Sequence, residues 1–158
     1  AWPSLPAGRQ GTKFSFNLPK YTTEKIFKEY LNNGMREAME KKIGMTLIVI
    51  SIIEFNKLKQ KFSDEKMGDI LRSMEGIIKD TLRRKGDVVL KDSGEMVVIL
   101  VDCDKEAAPS VENRLKEALD KYLTNEKLSQ EIKLRFGSAV YPDEAKNDEE
   151  LIKKAKEA

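Results

Sequence analysis

The sequence predicts an α+β fold of the split βαβ type, an antiparallel sheet of four strands with helices packed against it. Three observations predict it. A near-continuous apolar run rich in β-branched residues, at 45–53, has the character of a central strand covered by other elements. The apolar runs Val88-Val89-Leu90 and 96–101 flank the turn Asp92-Ser93-Gly94-Glu95-Met96, as in a β-hairpin. Segments with apolar residues at helical spacing separate these strands from one another and from a last alternating strand. The resulting order is helix, strand, helix, helix, strand, strand, helix, strand, helix.

Residues 1–17 hold Trp2, prolines at 3 and 6, and glycines at 8 and 11, and read as an extended arm or linker. Trp2, Phe14 and Phe16 are taken as part of a loose tail rather than docked side chains. The folded domain is expected over residues 18–158. Its first helix begins after Thr22 or Thr23, either of which suits an N-cap, with Phe27, Leu31, Met35, Ala38 and Met39 on the apolar face. After the central strand, residues 54–62 form a short helix, and Ser63-Asp64 restarts the chain into a long one. Met67, Ile70, Leu71, Met74, Ile77, Ile78 and Leu82 share one face of that helix. Lys85-Gly86-Asp87 ends it and opens the hairpin. Residues 110–123 make a further amphipathic helix through Val111, Leu115, Ala118, Leu119 and Leu123. Residues 131–141 alternate through Ile132, Leu134 and Phe136 as the last strand, and Asn147-Asp148 caps a terminal helix carrying Leu151, Ile152 and Ala155.

With 158 residues the chain can bury a core without staples. Its composition, 40% apolar and 35% charged, is that of a soluble globular domain, and a net charge of +2 is too small to argue for nucleic acid or a membrane surface as partner. Zero histidines remove the commonest general base and transition-metal ligand. The single Cys103 excludes an internal disulfide and fits a reducing compartment. No apolar run approaches the roughly 20 residues that span a bilayer. The chain opens on Ala1 and stops inside a helical pattern, so a cytoplasmic domain of a longer protein is expected, with room outside it for a sensor or membrane anchor.

The motifs carry a more specific resemblance. Ser51-Ile52-Ile53-Glu54-Phe55-Asn56-Lys57-Leu58-Lys59 is similar to the D-x-D-x-F-K-x-I-N segment of GGDEF domains, the bacterial diguanylate cyclases. Residues 87–102 resemble the hairpin D-V-V-A-R-x-G-G-D-E-F-V-V-I-L-P-D, shortened by one residue near the turn. Leu134-Arg135-Phe136-Gly137-Ser138-Ala139-Val140-Tyr141-Pro142 is similar to V-S-I-G-V-A-x-Y-P, and residues 151–158 to the closing L-L-x-R-A-D-x-A helix. Residues 18–27 stand where L-T-G-L-x-N-R-R-x-F would fall. Each motif is weak alone; their common register is specific. The resemblance implies the same ferredoxin-like, nucleotide-cyclase palm-like fold.

It also implies a chemistry that this chain lacks. Such cyclases join two GTP molecules by metal-assisted attack of a ribose 3′-hydroxyl on an α-phosphate, and need carboxylates to hold two divalent cations. By resemblance, the metal-binding Asp of the first strand corresponds to Ser51 and the second Asp of that segment to Ile53. The metal-binding acid of the turn corresponds to Gly94, and the two glycines that admit GTP correspond to Asp92 and Ser93. Glu95 retains the remaining acid. The guanine-reading Asn is Lys59, and the Asp that assists it falls on Gly68, next to Asp69. A hydroxyl and a glycine do not replace two anionic ligands, so no cyclase activity and no metal or other cofactor is expected; Asp92, Ser93 and Lys59 also argue against GTP binding.

A second constellation survives. Many members of the family bind their product, cyclic di-GMP, at an inhibitory R-x-x-D site before the hairpin, joined by an Arg on the following helix. Arg84-Lys85-Gly86-Asp87 and Arg114 fit that pattern. Guanidinium forks suit phosphate or guanine O6 and N7, and a carboxylate suits guanine N1 and N2. A plainer reading has Arg83, Arg84 and Lys85 complementing a helix C-terminus while Asp87 opens the turn. Asp102 and Asp104 around Cys103 read as a solvated loop rather than a metal site, and Cys103 has no neighbour suited to activate a nucleophile. Lys153 and Lys154, where relatives contact the triphosphate, read as surface charge, and residues 143–150 as a solvated loop and first helical turn. The expected function is that of an inactive regulatory domain in bacterial signalling that binds cyclic di-GMP at Arg84, Asp87 and Arg114 and acts on other domains of the chain or through a homodimer. The alternative is an interaction or dimerisation module for a partner protein, with no nucleotide ligand.

Overall fold

The structure is a computed structural model and describes residues 21–83, 85–91 and 93–157. The arm expected at residues 1–17, with Trp2, Phe14 and Phe16, lies outside them, as do Arg84 and Asp92. The elements are α1 (Glu24–Lys41), β1 (Met45–Ile52), α2 (Phe55–Lys61), α3 (Asp64–Thr81), β2 (Asp87–Leu90), β3 (Glu95–Val101), α4 (Ala108–Asn125), β4 (Leu134–Tyr141) and α5 (Asp148–Glu157). This is the order the sequence predicts.

The strands form one four-stranded sheet in the order β2-β3-β1-β4, antiparallel throughout. β1 is the spine. It pairs with β3 from Met45↔Val101 to Ser51↔Glu95 and with β4 from Met45↔Tyr141 to Ile52↔Leu134. Because side chains alternate, Ile48, Ile50 and Ile52 enter a core with α3 and α4, while Met45, Leu47 and Val49 enter a second core with α1 and α5. Two-sided burial is why this strand reads as a continuous apolar run. Burial of each large side chain contributes on the order of 1.5–3 kcal/mol.

Local chemistry sets the helix boundaries. Thr23 Oγ1 accepts from Ile26 N at 3.3 Å and starts α1. Lys42 N donates to Met39 O and Ile43 N to Ala38 O, a Schellman closure with Lys42 at φ 55° in the position where glycine is usual. Met39, expected on the apolar face, is instead 62% exposed. The buried stripe is centred on Leu31, Gly34 and Ala38, and Met39 lies one helical step of about 100° beyond it. Ser63 Oγ accepts from Lys66 N at 3.0 Å to start α3. That helix ends at Thr81, earlier than the expected Lys85, because the chain turns through Arg83 at φ 55°. Pro109 sits in the first turn of α4, where no N–H is needed, and draws its start ahead of residue 110. β4 begins at Leu134 rather than 131, since Glu131 N and Ile132 N both donate to Leu128 O in a turn. Asn147 Oδ1 caps α5 by accepting from Glu150 N at 2.8 Å.

Among the described residues no helix is long and apolar enough to cross a membrane. Among the described residues of the strands, one polar side chain is fully buried. Thr46 Oγ1 donates to Cys103 O at 2.8 Å, tying the chain leaving β3 to β1. Thr46→Val keeps the shape but leaves that carbonyl unpaired, and should lower stability by about 1–3 kcal/mol in urea unfolding, with an unchanged m-value.

Candidate functional site

The turn between β2 and β3 is closed by Lys91 N donating to Glu95 O at 2.9 Å and Gly94 N donating to Lys91 O at 3.0 Å. With Gly94 at φ 85°, this is the bonding of a hairpin loop ended by a left-handed residue. Gly94 is also pressed against Phe55: a Cβ on it would lie 2.5 Å from the ring. Both constraints demand glycine at the position where the resemblance places a metal-binding acid. The same Phe55 ring receives the Lys59 ammonium at 5.5 Å from its centroid. Gly68, which the resemblance places at the other guanine-reading position, is buried in α3, and exposed Asp69 pairs with Arg72. Ile53 is 40% exposed just past β1.

Register assembles the rest. Ser51 stands opposite Glu95 on β3 and opposite Arg135 on β4, so acid, hydroxyl and guanidinium form one row on the α1/α5 face. Lys156 of α5 completes the group, its Nζ 3.7 Å from Glu95 Oε1. Ser51, Glu95, Arg135 and Lys156 line a cavity of about 190 Å³. A second cavity of about 450 Å³ shares Glu95 and Lys156 with it and extends along Ser93, Lys91, Glu24 and Thr22. Lys91 is nearly buried, with its ammonium 2.5 Å from Glu24 Oε1 and 4.3 Å from the centroid of Phe27. The hydrogen bond from Lys91 holds the Glu24 carboxyl below its ordinary range. Among the described residues, no three His, Cys, Asp or Glu side chains come together as a metal cage.

Sequence reasoning reached Ser51, Glu95 and Gly94 but missed Lys91, Glu24, Arg135 and Lys156. Aligning β1, β3 and β4 at their ends beside the turn would have grouped Arg135 with Ser51 and Glu95, and a lysine closing an apolar strand marks Lys91. Lys153 and Lys154 are exposed, as read. Asp102 and Asp104 are exposed too, and Asp104 Oδ1 accepts from Ala107 N at 2.9 Å as a loop contact. Cys103 is buried, and desolvation pushes its thiol up, away from a reactive thiolate. Within residues 143–150, Glu144 departs from a simple solvated loop: its Oε1 accepts from Val140 N at 3.0 Å.

Of Arg84, Asp87 and Arg114, the first lies outside the described residues. Asp87 opens β2 opposite Ile99, held there by Gly86, which at φ 81° approaches the Ile99 carbonyl so closely that a Cβ would lie 2.7 Å from it. Arg114 lies in the second turn of α4, near enough to Cys103 to act electrostatically on the thiol. Asp87 is thus at the sheet end remote from the turn, the end where β3 runs on to Cys103. Both side chains are exposed, and neither has a hydrogen-bond or ion-pair partner among the described residues.

The family model described as diguanylate cyclase, GGDEF domain, matches residues 22–158, and the chain belongs to that family. Solved structures agree in fold. The GGDEF domain of YfiN (TpbB) from Pseudomonas aeruginosa is 19% identical with a TM-score of 0.68, covering 88% of this chain and 88% of that one. The active GGEEF domain of a diguanylate cyclase from Vibrio cholerae is 13% identical with a TM-score of 0.70, covering 87% of each chain. The GGDEF domain of DgcB from Caulobacter crescentus, solved in complex with c-di-GMP, is 18% identical with a TM-score of 0.69, covering 89% of this chain and 84% of that one. A search of curated proteins finds no match.

Two measurements test this geometry. Gly94→Ala should cost about 2 kcal/mol or more in urea unfolding, from backbone strain and contact with Phe55. The lowered Glu24 carboxyl stabilises the fold fully above its unfolded value near 4.5, and that contribution is lost as pH falls through the lowered folded value. Glu24→Gln should therefore flatten the acid limb of the urea midpoint against pH while leaving its shape above neutrality unchanged.

Proposed function

We propose that this GGDEF domain is catalytically inactive and serves as a regulatory module in bacterial signalling, binding cyclic di-GMP through Arg84, Asp87 and Arg114. The observation that carries the loss of catalysis is the pair Ser51 and Gly94 at the two metal-ligand positions. One offers a neutral hydroxyl and the other no side chain, with its Cβ direction filled by Phe55. Without a dication the α-phosphate is not polarised and the 3′-hydroxyl is not acidified. The one acid left in that row, Glu95, has the Lys156 ammonium beside it.

Support for the ligand comes from the other end of the sheet. A carboxylate and a guanidinium without protein partners among the described residues keep their hydrogen-bonding capacity for a guanine edge and a phosphate. The DgcB domain, of the same fold, was solved with c-di-GMP bound. A second reading, a protein-binding module without nucleotide, is favoured by Ile26 and Tyr30, which leave apolar surface 42% and 43% exposed one turn apart on α1.

Titration calorimetry separates the two. Micromolar binding of cyclic di-GMP that disappears in Arg84→Ala and Arg114→Ala supports the receptor reading; no heat at high ligand concentration sinks it. In the same preparation, GTP with Mg²⁺ should yield no cyclic di-GMP by chromatography, and accumulating product would overturn the roles given to Ser51 and Gly94.

A further inference from the structure

The two edges of the sheet are unequal. β2 is four residues long, and Leu90 O accepts from Thr22 N at 2.7 Å, so the segment entering α1 covers part of that edge. β4, at the other edge, is eight residues long. Its bonding phase is fixed at both ends. Ile53 N donates to Lys133 O at 2.9 Å, which turns the odd-numbered residues toward β1. Val140 points the other way, its N–H donating to Glu144 Oε1 and its carbonyl accepting from Glu144 N at 2.8 Å. Glu144 thus closes the last outward position. By alternation Leu134, Phe136 and Ser138 present their N–H and C=O groups outward, and none has a partner there among the described residues.

Each face of this edge is chemically distinct. On the α4 side lies a groove of about 420 Å³ in which half-buried Leu134 and Phe136 offer apolar surface between the polar Thr124, Ser129 and Lys133. Lys116 and Asp120 of α4 line it as well, the Lys116 ammonium 5.5 Å from the Phe136 centroid. On the opposite face Arg135 is exposed and unpaired among the described residues, beside Gly137, which has no side chain to block an approach.

We infer that the free edge of β4 takes an extended acidic peptide as a fifth strand. Backbone groups of Leu134, Phe136 and Ser138 supply the hydrogen bonds. Peptide residues opposite Leu134 and Phe136 put apolar side chains into the groove, and the residue opposite Arg135 supplies a carboxylate on the other face. The recognised pattern is therefore apolar, acidic, apolar. Charge selects this occupant over a second copy of the chain: two-fold pairing about Phe136 would set Arg135 diagonal to its own counterpart, and like charges across an edge oppose self-association. The site shares no residue with Asp87 and Arg114, so it stands whether or not cyclic di-GMP binds.

Fluorescence anisotropy with a fluorescein-labelled peptide of alternating valine and glutamate, roughly seven residues long, tests this. Saturable binding is expected, with a peptide of alternating valine and lysine binding about tenfold more weakly or worse. Ser138→Pro removes an outward N–H without touching the bonds to β1 and should weaken the acidic probe about tenfold. Arg135→Glu should invert the preference between the two probes, which keeps the test decisive if the proline variant fails to fold. No binding, equal binding of both probes, or binding indifferent to both substitutions overturns the proposal. So does a concentration-dependent dimer in sedimentation that Ser138→Pro dissolves, which would put a second copy on this edge.

Discussion

The constraint on which the rest depends is the burial of β1 on both faces while it pairs on both edges. A strand in that position has no free choice. Its even-numbered side chains must match α3 and α4, its odd-numbered ones α1 and α5, and its backbone must stay in step with β3 and β4 together. A slip of one residue would exchange the two cores and turn Thr46 away from the Cys103 carbonyl it satisfies. The position of Ser51 between Glu95 and Arg135 is thus a by-product of packing elsewhere in the strand. The row exists because the core exists.

The same constraint lets the residues at the end of β1 vary while the architecture stays. Clustered carboxylates repel one another without their cations, so they give the fold nothing that packing needs. In this chain the positions that the resemblance gives to metal ligands hold a hydroxyl and a glycine, and the acids lining the two cavities are each set beside a lysine: Glu95 by Lys156, and Glu24 by Lys91. Lys91 is unusual among these because its stem is buried and its head lies over Phe27, so its charge contributes to packing as well as to pairing.

Element order was legible in the sequence because hydrophobic periodicity distinguishes strand from helix in nearly every segment. Boundaries were less so. The end of α3 depends on Arg83 adopting a left-handed conformation that its side chain does not advertise, and the outward turn of Met39 depends on where α1 makes closest contact with the sheet, at Gly34. At the site, motif resemblance singled out Ser51, Gly94 and Glu95, since that question concerns single positions. Their company was illegible because Arg135 and Lys156 arrive from distant parts of the chain, and alternation gives the face of a strand but not its register with others. Nothing in the pattern of β4 by itself says that, among the described residues, no strand pairs with its outer side.

The contact between Gly94 and Phe55 bears on which side chains this turn can accept. An acid placed at position 94 would meet the ring, and would do so in a backbone conformation that strains any residue but glycine. Accommodating any side chain there requires Phe55 to shrink or the loop to lengthen first. Drift at position 94 is therefore admissible only after a change elsewhere, and the turn works as a keystone that fixes its neighbours.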